Sequence, residues 1–152
     1  MNSENNSGQT PMYIAAARGK LETVELLFKS GGKLNSRIYK GNTPLHVTTV
    51  NGHTKIVEFI LANVVDKNPV NENGDTPLHV AATRGFWEIC KFICQHVKDI
   101  NPENISGQTP MFYAVESGKL ETVKFLCKIG GDLNSKNQSI LSILRWDDWT
   151  TI

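Results

Sequence analysis

Residues 74–85 read Gly-Asp-Thr-Pro-Leu-His-Val-Ala-Ala-Thr-Arg-Gly, and this stretch decides the fold. A threonine hydroxyl can cap the N-terminus of a helix, and proline is tolerated at the first helical position because its missing N–H would be unpaired there anyway. Glycine suits the left-handed backbone that often ends a helix. The stretch therefore predicts a short helix that begins after Thr76 and ends near Gly85.

The same pattern recurs every 33 residues, which makes four copies. A second glycine and an asparagine keep that spacing too, so three independent markers share one register. Such a repeat is typical of an array in which each unit is one supersecondary element. The Gly-x-Thr-Pro segments begin at Gly8, Gly41, Gly74 and Gly107, the second glycines are Gly19, Gly52, Gly85 and Gly118, and the asparagines are Asn35, Asn68, Asn101 and Asn134.

A second helix is predicted after each second glycine. In the first copy, Leu21, Val24, Leu27 and Phe28 have the spacing of one apolar helix face. The residues from there to the next glycine are rich in Asn, Asp, Gly, Ser and Pro, which favours an extended turn or hairpin. Each repeat is therefore predicted to contain two helices and one hairpin.

The sequence resembles the ankyrin repeat family, which has a 33-residue period and the motif Thr-Pro-Leu-His-x-Ala. The third copy matches this motif fully at 76–81, and the second matches at 43–47 before departing with Thr48 and Thr49. The first and fourth copies replace Leu-His with Met-Tyr at 12–13 and Met-Phe at 111–112. The resemblance implies an all-α solenoid of four helix-turn-helix repeats plus a partial C-terminal capping repeat, joined by hairpin loops.

We expect one ankyrin-repeat domain over residues 1–152. The predicted repeats are at about residues 5–37, 38–70, 71–103 and 104–136, with a partial cap at 137–152 that contains one helix near 141–149. Terminal repeats usually turn a polar face to solvent. Residues 2–3 align with hairpin residues 35–36, and repeats 1 and 4 are close copies, so we expect this domain to be part of a larger ankyrin-repeat protein.

Composition restricts the class of protein. The 152 residues include 39% hydrophobic residues, enough to bury a core, and the net charge of +1 argues against a nucleic-acid binder. No stretch approaches the about 18 to 20 apolar residues that span a bilayer, so we expect no membrane insertion. Three cysteines fit a reducing compartment. We expect a cytoplasmic monomer.

The cysteines and histidines do not form a convincing reactive site. Cys94 and His96 lie two apart on one predicted helix and so point to different faces. Cys90 and Cys94 could share a face, but a zinc site needs about four ligands and no second pair has a suitable spacing. Small buried residues are the expected role of the thiols. The sequence predicts no catalytic residue, no cofactor and no metal.

The resemblance assigns a structural role to two histidines and raises one possible modification. His46 and His79 occupy the motif position that hydrogen-bonds to the turn in this family, whereas His53 and His96 are expected to be exposed. Ile38 stands where other copies have asparagine, so we expect its hairpin to be less well tied. Residues 126–134 resemble a hairpin sequence on which some asparagine hydroxylases act. The alternative is that Asn134 only stabilises its hairpin.

The resemblance also implies a binding surface, because ankyrin proteins hold partners with hairpin tips and the exposed side of the first helices. Tyrosine and arginine are frequent binding hot spots. We therefore hypothesise that four residues grip an acidic partner segment: Arg18, Arg37, Tyr39 and Lys40. The alternative is that these solvated positions have merely drifted. The full predicted set is Arg18, Arg37, Tyr39, Lys40, Asn42, Asn51, Glu72, Asn73, Asp75, Arg84, Ile105 and Glu116.

The repeats and the implied binding surface together predict a non-catalytic protein–protein interaction module whose partner is another protein. Two alternatives stay open at this point. One is a structural spacer or elastic array without a specific partner, and the other is the regulatory part of a larger enzyme or channel.

Overall fold

The computed structural model describes residues 2–133, and these residues form four pairs of packed α-helices. No β-strand occurs among them, which confirms the predicted all-α fold. The predicted capping helix and Asn134 lie outside the described residues. The pairs are α1 (Pro11–Ala17) with α2 (Leu21–Lys29), α3 (Pro44–Val50) with α4 (Thr54–Asn63), α5 (Pro77–Arg84) with α6 (Trp87–His96), and α7 (Pro110–Glu116) with α8 (Leu120–Lys128).

The first helix of each pair begins where the Thr-Pro motif predicts. The hydroxyls of Thr10, Thr76 and Thr109 accept the backbone N–H three residues later, at distances of 3.2, 3.4 and 3.4 Å. Thr43 instead places its hydroxyl 3.0 Å from Nδ1 of His46. A proline follows each threonine at the start of its helix. Each cap satisfies a polar group that would otherwise be buried without a partner.

The turn between the two helices of each repeat requires glycine. The predicted left-handed backbone is confirmed, because φ is +70° at Gly19 and +75° at Gly85. A Cβ atom at Gly19 would also lie 2.7 Å from the ring of His53 in the next repeat. The prediction that His53 is exposed is wrong. Its ring is half-buried over Gly19, and its Nε2 lies 2.9 Å from the carbonyl oxygen of Ala17.

Successive repeats pack first helix against first helix and second helix against second helix. The core therefore runs along the array, and it is formed by fully buried side chains such as Leu78 from a first helix and Ile60 and Ile93 from second helices. Burying one such side chain contributes about 1.5 to 3 kcal/mol. Because each repeat covers its apolar side with its neighbours, stability is approximately a sum of local and interface contributions.

Neighbouring hairpins are joined by backbone hydrogen bonds. The N–H of Glu72 donates to the carbonyl of Lys40 at 3.0 Å, and the N–H of Ile105 donates to the carbonyl of Asn73 at 3.0 Å. The side chain of Asn71 ties its own hairpin by accepting the N–H groups of Asn73 and Asp75 at 2.9 and 3.0 Å. The hairpins are thus fixed both internally and to each other.

The second hairpin differs because Ile38 has no side-chain acceptor. It forms a 3₁₀ turn at Tyr39–Gly41, and Lys40 adopts φ +59°, a left-handed conformation that no other non-glycine residue between 2 and 133 adopts. Arg37 compensates in part, since its guanidinium donates to the carbonyls of Gly41 and Val70. The backbone bond from the N–H of Ile38 to the carbonyl of Asn42 is retained at 2.9 Å.

Candidate protein-binding groove

Two adjoining clefts lie on the side of the array that the first helices and the hairpins share. Each has a volume of about 230 Å³, and Tyr13 lines both of them. We call this surface the groove and define it by the residues of the two clefts. The first cleft is lined by Asn5, Gln9, Tyr13, Ile14, Ala17 and Arg18. The second is lined by Tyr13, Asn42, His46, Val47, Val50 and Val80.

The repeat register explains the chemistry of the groove. Ile14, Val47 and Val80 occupy one position in three successive repeats, and they give the groove an apolar floor. The amides of Gln9 and Asn42 occupy another shared position beside the hairpins. Ile14 and Val80 are half-buried and Val47 is buried, while the opposite side of α1, with residues such as Met12 and Ala16, packs in the core.

The apolar floor does not continue through the whole array. The position of Ala17 and Val50 becomes Thr83 in repeat 3 and Glu116 in repeat 4. Likewise, the position of Gln9 and Asn42 becomes Asp75 in repeat 3. The groove is therefore apolar and amide-lined over repeats 1 and 2, and it becomes polar and acidic beyond them.

The predicted site residues lie at the surface but do not form one cluster. Arg37, Tyr39 and Lys40 share the second hairpin, where Lys40 Nζ lies 5.3 Å from the centre of the Tyr39 ring. Arg18 lies at the C-terminal end of α1, which is about 10 Å long, on the edge of the groove away from the hairpins. Exposed members of the set are Arg18, Arg37, Tyr39, Lys40, Asn51, Glu72, Asn73, Arg84, Ile105 and Glu116, and half-buried members are Asn42 and Asp75.

Several of these side chains stabilise the array itself. Asn51 Nδ2 donates to the carbonyls of Ala17 and Val47 at 3.3 and 3.0 Å. A carboxylate oxygen of Asp75 accepts from Asn104 Nδ2 at 2.9 Å. With Arg37, these residues connect one repeat to the next. Changing them would therefore affect the contacts between repeats as well as the exposed surface.

The groove floor is absent from the set of residues that the sequence predicts. Apolar residues in a first helix suggest core, and for this reason Tyr13, Ile14 and Val47 do not stand out as binding residues. A signal is nevertheless present for Ile14, since it lies on the helix face opposite Met12 and Ala16, which the same helical periodicity assigns to the core.

Burial disfavours the ionised form of the three thiols. Cys90 is buried, and burial raises the pKa of its thiol far above the ordinary range, while burial raises the pKa of Cys94 to about 11. A thiol must lose its proton to act as a nucleophile or metal ligand. Within residues 2–133, no three His, Cys, Asp or Glu side chains are placed to hold one metal ion.

The fold and the repeated Thr-Pro caps define a class of helical repeat protein, and a family model agrees. The model for ankyrin repeats (3 copies) matches residues 1–70 and 60–137. The chain belongs to the ankyrin repeat family, whose members generally mediate protein–protein interactions. No curated protein matches the chain. In the part of the chain that the structure describes, no helix has both the length and the apolar character to cross a membrane.

Proposed function

We propose that this chain is a non-catalytic protein-binding module that holds an extended segment of a partner protein in the groove. The observation that carries the proposal is the pair of clefts that share Tyr13, with apolar side chains from neighbouring first helices in their lining. A pocket that is apolar with a few polar groups is the usual character of a binding site. The side-chain amides of Gln9 and Asn42 offer donors and acceptors to a peptide backbone.

The rigidity of the array supports binding. The caps, the hairpin bonds and the packing of neighbouring repeats hold the floor in place before a partner arrives, so little conformational freedom is lost on association. Two hairpin tips also expose large apolar side chains, since Tyr39 is 72% exposed and Ile105 is 78% exposed. A simple spacer gains nothing from such exposure, whereas a binding surface does.

The proposal includes the setting in which the module acts. Three free cysteines favour a reducing compartment such as the cytoplasm. We propose a monomer, with repeats at about residues 5–37, 38–70, 71–103 and 104–136 in one domain over residues 1–152. Regulation of a larger enzyme or channel would use the same groove.

A displayed library of short random peptides, selected on the immobilised full chain, tests the proposal. We expect selected peptides to bind the wild type and to lose about 10-fold or more of their affinity for Val50→Asp, which places a charge on the apolar floor. Ala62→Asp is the matched control, because Ala62 is exposed on α4, away from the groove. Both variants must keep the wild-type circular dichroism.

The proposal is wrong if the selection yields no binding peptides. It is equally wrong if the selected peptides bind Val50→Asp as tightly as they bind Ala62→Asp, because the groove would then not be the binding site.

A further inference from the structure

The charge distribution points to the chemistry of the segment that the groove accepts. We propose that this segment contains an internal Asp or Glu whose carboxylate pairs with Arg18, next to an apolar side chain that packs on Tyr13 and Val50. This inference rests on the proposed function and identifies the class of partner.

Arg18 supplies the charge complementarity. Among the residues that line the two clefts, it is the one side chain that carries a full charge at neutral pH. The other titratable side chains there are Tyr13 and His46. Burial raises the pKa of Tyr13 and lowers the pKa of His46, so both are neutral. The side chains that line the two clefts therefore present one positive charge and no negative charge.

The apolar half of the segment follows from the floor. Tyr13 and Val50 are half-buried, and they face a cleft of about 230 Å³. An apolar side chain that enters this cleft removes apolar surface of both partners from water. The carboxylate must be close to that side chain in sequence, because Tyr13 and Arg18 line the same cleft.

The acidic part of the segment is restricted to repeats 1 and 2. Glu72, Asp75 and Glu116 belong to repeats 3 and 4, and they would repel a carboxylate lying over those repeats. The pairing of the carboxylate with Arg18 thus fixes the position of the segment along the groove.

An internal side chain is the expected source of the carboxylate, in preference to a chain terminus. Arg18 lies on the edge of the groove at the end of α1, beside the floor that a bound segment would cross. A side chain can project to this edge from a segment that continues past it in both directions.

Arg84 provides a matched control. It is the same residue type at the same repeat position, two repeats further along the chain, and it is exposed at the end of α5. It does not line either cleft. Replacing Arg84 removes the same charge from the protein. A difference in affinity between the Arg18 and Arg84 variants therefore arises from the position of the arginine and not from the net charge.

The experiment begins with the displayed library, in which the random peptides are flanked by protein on both sides. We expect the selected peptides to be enriched in Asp or Glu next to Leu, Ile, Val, Met or Phe, relative to the starting library. A synthetic peptide of a selected sequence, amidated at its C-terminus, should bind the full chain by isothermal titration calorimetry.

Variants then locate the contact. Arg18→Gln should weaken binding about 5-fold, the upper range for an exposed ion pair, whereas Arg84→Gln should leave it unchanged. Replacing the peptide's Asp by Asn, or its Glu by Gln, should weaken binding to the wild type equally but should have no further effect on Arg18→Gln. Added salt should weaken only the charged pairing.

Two results would overturn the inference while leaving the proposed function in place. One is a set of peptides that depend on Val50 but show no acidic enrichment. The other is an acidic peptide that loses as much affinity for Arg84→Gln as for Arg18→Gln. Failure to obtain peptides that depend on Val50 would instead overturn the proposed function, and this inference with it.

Discussion

The Nε2 of His79 lies 2.9 Å from the carbonyl oxygen of Gln108 in the next repeat, while its Nδ1 accepts the N–H of Thr76 at 3.1 Å. His46 makes the equivalent bonds to the carbonyl of Asp75 and the N–H of Thr43. Because Nδ1 accepts, the proton must be on Nε2, which donates. One neutral imidazole therefore ties its own turn to the following hairpin, and this confirms the predicted structural role of both residues.

These imidazoles predict that the fold loses stability in mild acid. Burial lowers the pKa of His46 and His79 below the ordinary 6.5, so between that value and the folded-state pKa the unfolded chain binds more protons. Their contribution to stability is fully present above pH 6.5 and is lost as the pH falls below it. The slope is at most about 1.4 kcal/mol per pH unit for each histidine.

Urea denaturation at a series of pH values measures this effect. The double variant His46→Gln, His79→Gln should be less stable at neutral pH and should show a flatter dependence below pH 6.5. A double variant that keeps the full wild-type slope would show that other groups cause the acid sensitivity.

We expect that replacing Thr122 by valine stabilises the protein. Its side chain is fully buried on α8, and its hydroxyl has no hydrogen-bond partner among residues 2–133. Thr122→Val keeps the shape and removes the unsatisfied polar atom, so we expect the free energy of unfolding to rise by about 1 kcal/mol. Thr49→Val is the control, because the equally buried Thr49 hydroxyl donates to the carbonyl of Leu45 at 2.7 Å.

The control should lose up to about 1 kcal/mol. Thermal or urea unfolding of the two variants measures the difference. If Thr122→Val were the less stable of the pair, the hydroxyl of Thr122 must have a partner after all.

Ile38 predicts that the second hairpin can be improved. Ile38→Asn places an acceptor near the N–H groups of Lys40 and Asn42, in the arrangement that Asn71 provides in the next repeat. We expect stabilisation of about 1 kcal/mol by urea denaturation, together with relief of the left-handed backbone at Lys40. The reverse substitution, Asn71→Ile, should destabilise by a similar or larger amount. If Ile38→Asn failed to raise the free energy of unfolding, or if Asn71→Ile failed to lower it, this account would be contradicted.

We expect that replacing Gly19 destabilises the protein more than replacing Gly118, which occupies the same position in repeat 4. Gly118 has φ +64°, and no atom of residues 2–133 lies within 4 Å of the place where the methyl group of an alanine would lie, so Gly118→Ala should cost about 1 kcal/mol from backbone strain. Gly19→Ala adds a collision with the His53 ring and should disturb its bond to Ala17, at a further cost of about 1 kcal/mol.

Comparing the unfolding free energies of the two alanine variants isolates the packing of the ring. If they are destabilised equally, His53 moves aside freely and does not join the repeats. Adding His53→Ala to Gly19→Ala should recover the part of the loss that arises from the collision.

The parts of the fold that were predicted correctly depend on residues close in sequence. A Thr-Pro pair specifies a helix start within three residues, and a glycine such as Gly85 specifies a left-handed turn by itself. The family motif likewise anticipated the structural role of His79. These features need no knowledge of which surfaces meet.

The site was less predictable because it depends on contacts between repeats. The positions of His53 and Arg37 are set by the carbonyls of Ala17 and Val70, which are 36 and 33 residues away in the sequence. The apolar residues Tyr13 and Ile14 of the groove resemble core when each helix is considered alone. Only the packing of neighbouring repeats shows which apolar residues stay accessible.

The backbone bonds between hairpins, from Glu72 to Lys40 and from Ile105 to Asn73, have a consequence for the evolution of binding. Because these bonds join backbone atoms, the distance between successive hairpin tips does not depend on the side chains at those tips. If these tips bind a partner, exchanging Tyr39 or Ile105 for another residue would change what is bound without moving the position at which it is bound. In such an array the residue at one hairpin tip can change while the spacing between the tips stays constant.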